Sequence, residues 1–156
     1  MFDQVSIIGC GLIGSSIFKG LKKVGLIKKI ITYDKDKEVS EIIKKDKLSD
    51  EIFNSAGEAV KNSDLVVIAT PLSSFESVLN SIRDNLKTGS ILTDTCSVKI
   101  GVGKIFNKLN LKKSICVPGH PVAGIENSGP KAGTIDLFKN RWTILTPNKD
   151  VDEKAI

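Results

Sequence analysis

The chain has 156 residues, of which 40% are hydrophobic and 26% charged, the size and balance of one ordinary soluble domain able to bury roughly two thirds of its unfolded surface. The net charge of +5 is carried partly by lysine pairs at 22–23, 28–29, 44–45 and 112–113; these are dispersed and not interleaved with aromatics, which argues for solvated loops and helix ends and against a nucleic-acid surface. No apolar run approaches the roughly 18 residues of a membrane span, and the N-terminus has neither the basic flank nor the small-residue cleavage site of a signal peptide, so the expected location is the cytoplasm, with no membrane partner.

Taken in order, "QVSIIG" (4–9) predicts a buried strand that ends in glycine. Ile13, Ile17, Leu21 and Val24 then recur at helical spacing, and Gly25 offers a stop. "KIITYD" (29–34) predicts a second strand, and Val39, Ile42 and Ile43 a second helix. Residues 47–54 are ambiguous, with room for a short third strand. "LVVIAT" (65–70) is apolar without alternation, as in a strand covered on both faces.

Pro71 ends that strand, and Ser73 with Glu76 forms an S-x-x-E capping box. Phe75, Val78, Leu79, Ile82 and Leu86 stripe the helix that follows. "SILTDT" (90–95) predicts another strand. Val98, Val102, Ile105, Phe106 and Leu109 mark another helix, weakened by Gly101 and Gly103. "SICVP" (114–118) and "WTILTP" (142–147) predict the last strands, with Trp142 in the core. Asp150 is placed to cap a final helix that stops at Ile156, so 151–156 read as the start of a truncated helix. Alternating strands and helices predict an α/β fold, a doubly wound, mainly parallel sheet with helices on both faces.

The cysteines, Cys10, Cys96 and Cys116, are odd in number and lack C-x-x-C spacing, which predicts free thiols. With a single histidine, no metal site is expected.

"GCGLIG" (9–14) matches G-x-G-x-x-G. Gly9 allows the tight turn out of the strand, Gly11 lets the backbone approach a pyrophosphate, and Gly14 lets the helix pack close to the sheet. The helix opening at Leu12 and Ile13 directs its free N–H groups at the phosphates. Asp34 ends the second strand 20 residues after Gly14. A carboxylate there accepts hydrogen bonds from ribose hydroxyls and repels a 2′-phosphate; it is also placed to cap the 35–46 helix. NAD is favoured, with NADP left open by Lys35 and Lys37. The rest of the dinucleotide crosses the carboxyl ends of strands, at Ala69, Thr70 and Pro71 and at "DTCS" (94–97). Pro71 also serves as a strand terminator, and Ser97 as a helix N-cap.

His120 lies between Gly119 and Pro121, past the end of the 114–118 strand and on the same sheet edge. A lone histidine is more often structural. This one is on no apolar face and is expected in a loop overhanging the nicotinamide, which favours a catalytic role.

"GCGLIGSS", "YD", "VVIATP", "DTCSVK" and "GHPVAGIENSGPKAG", followed by "LF" and "ILTP", occur in this order. Together they resemble the prephenate and arogenate dehydrogenase family over the whole chain; "DTCSVK" with "GHPVAGIENSGP" is the specific part. The resemblance implies a Rossmann-type NAD-binding domain over 1–150, leading to a helical dimerisation domain that lies outside this sequence. It implies NAD-dependent oxidative decarboxylation of prephenate, or of its amino analogue arogenate, in tyrosine synthesis, by a homodimer when full-length; the fragment alone is expected to be inactive.

His120 would be the catalytic histidine, accepting the ring-hydroxyl proton, and Ser97 would orient that hydroxyl or its neighbour. Glu126 belongs to the same motif, either at the pocket mouth or as a surface carboxylate. Lys99 could pack near the cofactor or be solvated. Two rivals remain. "PVAG" and "KAGT" faintly resemble the β-hydroxyacid dehydrogenases, to which "GHP" is foreign. The other rival is a dinucleotide-binding fragment without catalysis.

Overall fold

A computed structural model describes residues 2–156. In chain order the elements are β1 (Gln4–Ile8), α1 (Leu12–Val24), β2 (Lys29–Tyr33), α2 (Lys37–Lys45), β3 (Glu51–Ile52), α3 (Ala56–Ala59), β4 (Leu65–Ile68) and α4 (Leu72–Ile82). They continue with β5 (Ser90–Asp94), α5 (Lys99–Leu109), β6 (Ser114–Val117), β7 (Gly119–Pro121) and β8 (Thr143–Leu145).

The first six strands form one sheet in the order β3-β2-β1-β4-β5-β6, every pair parallel. The chain builds outward from β1 in one direction, then returns to build outward from β4 in the other. The crevice above β1 and β4 is therefore the topological switch point, where open α/β sheets bind ligands.

Because both faces are covered, the strands need apolar residues at successive positions. Val5, Ile7, Ile30 and Val67 face α1, where Phe18 is buried and Ile17 and Leu21 pack beside it. Ile8, Ile31, Val66, Ile68 and Leu92 face the opposite layer of α3, α4 and α5. Phe75 and Phe106 meet edge to face at 5.5 Å and 66°, joining α4 to α5. The buried side of α1 runs through Gly14 and Phe18, so Val24, expected on that stripe, is 64% exposed. Gly25 does stop the helix, at φ 70°, with its N–H donating to the Leu21 carbonyl.

Several local expectations are corrected. The Ser73–Glu76 capping box does not form. Pro71, with φ −57°, is itself the N-cap of α4, so Ser73 is already inside the helix, and Glu76 pairs with Lys108 at 2.6 Å. Asp36, not Asp34, caps α2 by accepting from the Glu38 N–H. Ser97 is not the cap of α5; Val98 holds that place without a side-chain bond. The 142–147 run does not join the parallel sheet. It contributes only β8, antiparallel to β7, with His120 opposite Ile144. Trp142 is thus outside the core and 82% exposed. At the end of the chain, Asp152 rather than Asp150 caps a short 3-10 turn at Glu153–Ala155.

Asp64 ties the start of β1 to the sheet. Its Oδ2 accepts the N–H groups of Asp3 at 2.7 Å and Gln4 at 3.1 Å, while Oδ1 accepts from Lys87 Nζ. The Lys87 hydrogen bond, followed by the Gln4 N–H, lowers its pKa from the ordinary 3.8 to about 2. A depressed carboxylate contributes stability that is complete above its unfolded pKa and is lost as pH falls through the folded value. Asp64→Asn is therefore expected to lower the denaturation midpoint at pH 7, with the gap to wild type closing between about pH 4 and pH 2. A gap that stayed constant on acidification would contradict this.

Candidate functional site

The site begins where β1 stops. Gly9 turns the chain with φ 93°, donating its N–H to the Tyr33 carbonyl at 2.8 Å. A Cβ at Gly9 would lie 2.7 Å from the Ala69 carbonyl oxygen, and one at Gly14 would lie 2.0 Å from the Gly9 oxygen. Both glycines are therefore demanded by close approach of backbone to backbone. Gly11 differs: a Cβ there would meet nothing within 4 Å, and the residue lines the cleft. The first turn of α1 has no acidic residue and no side-chain cap. Its leading N–H groups, which have no intrahelical partner, remain available for an anion.

The cleft above this turn has a volume of about 540 Å³. Gly9, Gly11, Leu12, Ile13, Asp34, Ala69, Thr70, Pro71 and Ser97 all line it. Gly14 lies beneath the turn as packing and does not line it. Asp34 Oδ2 accepts the Cys10 N–H at 2.7 Å, and Oδ1 accepts the Asp36 N–H at 2.9 Å. Those two bonds fix the carboxylate at the cleft, and its remaining lone pairs can still accept hydroxyls. Lys35 lines the cleft beside it. Thr70 Oγ1 is buried and has no hydrogen-bond partner among the described residues. A buried hydroxyl left unpaired costs about 1–3 kcal/mol, so a polar ligand atom here would relieve it. Free helix N–H groups, an open Gly11, a fixed acid and an orphaned hydroxyl together suit a dinucleotide.

Other lining residues escaped the sequence reading. Ser128 and Gly129 close one wall, because the segment after β7 folds back over α1. Gly133 packs on Ser15, Lys19 Nζ donates to the Gly133 carbonyl at 2.6 Å, and the Thr134 N–H donates to Ser16 Oγ at 3.0 Å. The small Ser15-Ser16 pair inside a helix was the available signal. Cys96, inside the 94–97 stretch expected at the cleft, lines it too. Burial, followed by the negative charge of Asp94, pushes its thiol up to about 11, so it is protonated at neutral pH.

His120 is not in a loop but in β7, held by pairing with β8. It is half-buried and does not line the cleft itself. The short strand follows β6 directly, at the same carboxyl-end edge as Gly9, Asp34, Thr70 and Ser97. Glu126 is exposed and also lies outside the lining. Lys99 does not line the cleft and is not a solvated lysine. Its side chain is 16% exposed and pairs at 2.5 Å with Asp94, which is fully buried.

A family model described as the nucleotide-binding domain of prephenate dehydrogenase matches residues 17–156. Over its full length the chain is 36% identical to a cyclohexadienyl dehydrogenase of Zymomonas mobilis, of which it covers 53%. Among solved structures it is similar to prephenate dehydrogenase from A. aeolicus in complex with hydroxyphenyl propionate and NAD+, with 31% identity and a TM-score of 0.86, covering 99% of this chain and 54% of that one. It is also similar to Synechocystis arogenate dehydrogenase, with 25% identity and a TM-score of 0.87, covering 97% of this chain and 52% of that one. The chain thus spans about half the length of these relatives. A match over residues 17–156 establishes that the chain, with its doubly wound sheet, belongs to the prephenate dehydrogenase family.

Proposed function

We propose that the cleft binds NAD and that this chain supplies the nucleotide-binding half of an enzyme for the oxidative decarboxylation of prephenate or arogenate, a step of tyrosine synthesis. The observation that carries the reading is the cleft itself. It runs from the Asp34 carboxylate, across the open Gly11 and the bare start of α1, to Ser97. Relatives of this chain are named for prephenate or arogenate oxidation, and one was solved with NAD+ bound. Bound NAD supplies the hydride acceptor. The chain's own groups do the rest. Asp34 accepts the adenosine ribose hydroxyls and disfavours a 2′-phosphate. The α1 N–H groups hold the pyrophosphate. Ser97 Oγ orients the substrate ring hydroxyl.

An imidazole nitrogen of His120 accepts the hydroxyl proton as the ring carbon loses hydride. Imidazole is the side chain best suited to taking a proton near pH 7. Carbon dioxide leaves, and formation of the aromatic ring provides the driving force. The rest of the full-length protein is assigned the grip on the substrate carboxylates and the homodimer contact.

Calorimetry with NAD and NADP tests the cleft, with tighter NAD binding expected; binding of neither would overturn the reading. With the full-length chain, nicotinamide absorbance should rise with prephenate or arogenate and not with a β-hydroxyacid. A rise with the β-hydroxyacid alone would transfer the chain to that class of oxidoreductase.

A further inference from the structure

We infer that Asp94 is a positioning residue for the proposed reaction, a single buried carboxylate that fixes Ser97 and His120 relative to each other. The inference rests on the roles given above to those two side chains. Asp94 is the last residue of β5 and its side chain is fully buried. Its Oδ1 accepts the Cys96 N–H at 2.8 Å, immediately before Ser97. Its Oδ2 accepts the Gly119 N–H at 3.1 Å, immediately before His120. The residue preceding each proposed site residue is thus bonded through its N–H to the same carboxylate.

The main-chain ladder cannot do this. Pairing between β5 and β6 ends at Thr93 and Val117, and Pro118 has no N–H to extend it. The Asp94 side chain takes over where the ladder stops, and it branches to both segments. Lys99 completes the arrangement. Its Nζ pairs with Asp94 Oδ1 at 2.5 Å and also donates to the Gly119 carbonyl, so the Gly119 residue is gripped through both its N–H and its C=O. Gly119 must also be small: a Cβ would lie 2.9 Å from the Asp94 carbonyl oxygen and 3.0 Å from Thr93 Oγ1.

Burying a charge pair is a poor way to gain stability, since an apolar pair of similar volume often does as well or better. What the pair does supply is charge-assisted bonding in a fixed geometry. A misplacement of about 1 Å at a reacting centre can cost roughly 10²-fold in rate.

Asparagine at 94 keeps the shape but turns one acceptor into a donor, so one of the two N–H groups loses its partner. In the full-length protein Asp94→Asn is expected to lower kcat with prephenate or arogenate by about 10- to 100-fold. KM and the dissociation constant for NAD should stay within about threefold, since Asp94 lies outside the cleft lining. The double variant Asp94→Asn/Lys99→Met removes the stranded lysine charge. It should regain thermal stability while kcat stays low. Recovery of kcat together with stability would show a purely structural role and overturn the inference.

A second readout needs no activity. The chain has one histidine, so its imidazole proton resonances are unambiguous. Asp94→Asn should move them together with the Ser97 amide resonance, leaving core methyl signals of Leu79 and Leu92 in place. Unmoved His120 and Ser97 signals would overturn the positioning role. Absence of wild-type turnover, with those signals still coupled to Asp94, would count against the proposed reaction alone.

Discussion

His120→Asn is expected to reduce turnover of prephenate or arogenate by the full-length protein by about 10²–10⁴-fold, the usual contribution of a general base. Asparagine can still hydrogen-bond a hydroxyl but cannot take its proton near pH 7. The substitution tests the base and little else, for two reasons. First, β7 is held by backbone pairing with β8 and by the Gly119 peptide bonded to Asp94 and Lys99, none of which uses the imidazole. Second, His120 does not line the nucleotide cleft, so the NAD dissociation constant should change by less than about twofold. Turnover equal to wild type would remove His120 from the reaction. A large loss of NAD affinity would place the ring against the cofactor instead.

The contrast between what was legible and what was not has a physical pattern. The buried parallel strands were readable because covering both faces favours near-continuous apolar runs: "LVVI" is unbroken, and "VSII" and "SILT" interrupt theirs only with small Ser and Thr. The turn was readable because Gly9 and Gly14 answer steric demands that a side chain would violate, while Gly11 leaves the cleft open. Asp34 was correctly placed at the cleft, but its capping role went to Asp36, one residue ahead of the observed start of α2. Ser73 and Ser97 show the same competition. The turn after each strand sets where the helix begins, and the best local cap does not override it.

Short elements carried too little periodicity to be recognised. The four-residue α3 and the three-residue β7 exist because of tertiary neighbours, whereas the two-residue β3 falls in the ambiguous 47–54 stretch and β8 inside the predicted 142–147 strand. The Asp94–Lys99 pair was invisible for a related reason. Its value lies in a peptide unit at 119, 25 residues from Asp94, and no local pattern reports that contact. Trp142 was assigned to the core as the start of the 142–147 strand, yet β8 left the main sheet and carried it to the surface.

The two inner glycines of the cradle should fail in opposite ways when changed to alanine. At Gly14 the added Cβ would lie 2.0 Å from the Gly9 oxygen, 3.1 Å from the Gly9 carbonyl carbon and 3.3 Å from Ile7 Cγ2. Two of these are backbone atoms, so no rotamer change relieves the overlap. The Gly9 turn cannot retreat either, because it is itself packed against Ala69. Alanine gains roughly 1 kcal/mol of helix propensity over glycine, but overpacking typically costs about 1–3 kcal/mol and occasionally more. With backbone on both sides of the overlap, the upper part of that range applies and the loss wins. Gly14→Ala is expected to lower Tm by roughly 4–8 °C and to abolish detectable NAD binding, since α1 must shift off its place under the phosphates.

Gly11→Ala meets no protein atom, and its φ of −68° is one that alanine adopts freely. The fold should keep its Tm or gain slightly, because alanine restricts the unfolded chain by about 0.4–1 kcal/mol relative to glycine. Its methyl group would stand in the cleft, where the pyrophosphate must touch the backbone, so NAD affinity should fall at least about tenfold, the equivalent of roughly 1.4 kcal/mol. Paired thermal melts and calorimetry separate the two effects. Wild-type NAD affinity in Gly11→Ala would show that the phosphates do not lie over this turn. An unchanged Tm in Gly14→Ala would show that α1 has room to yield, contrary to the close packing described here.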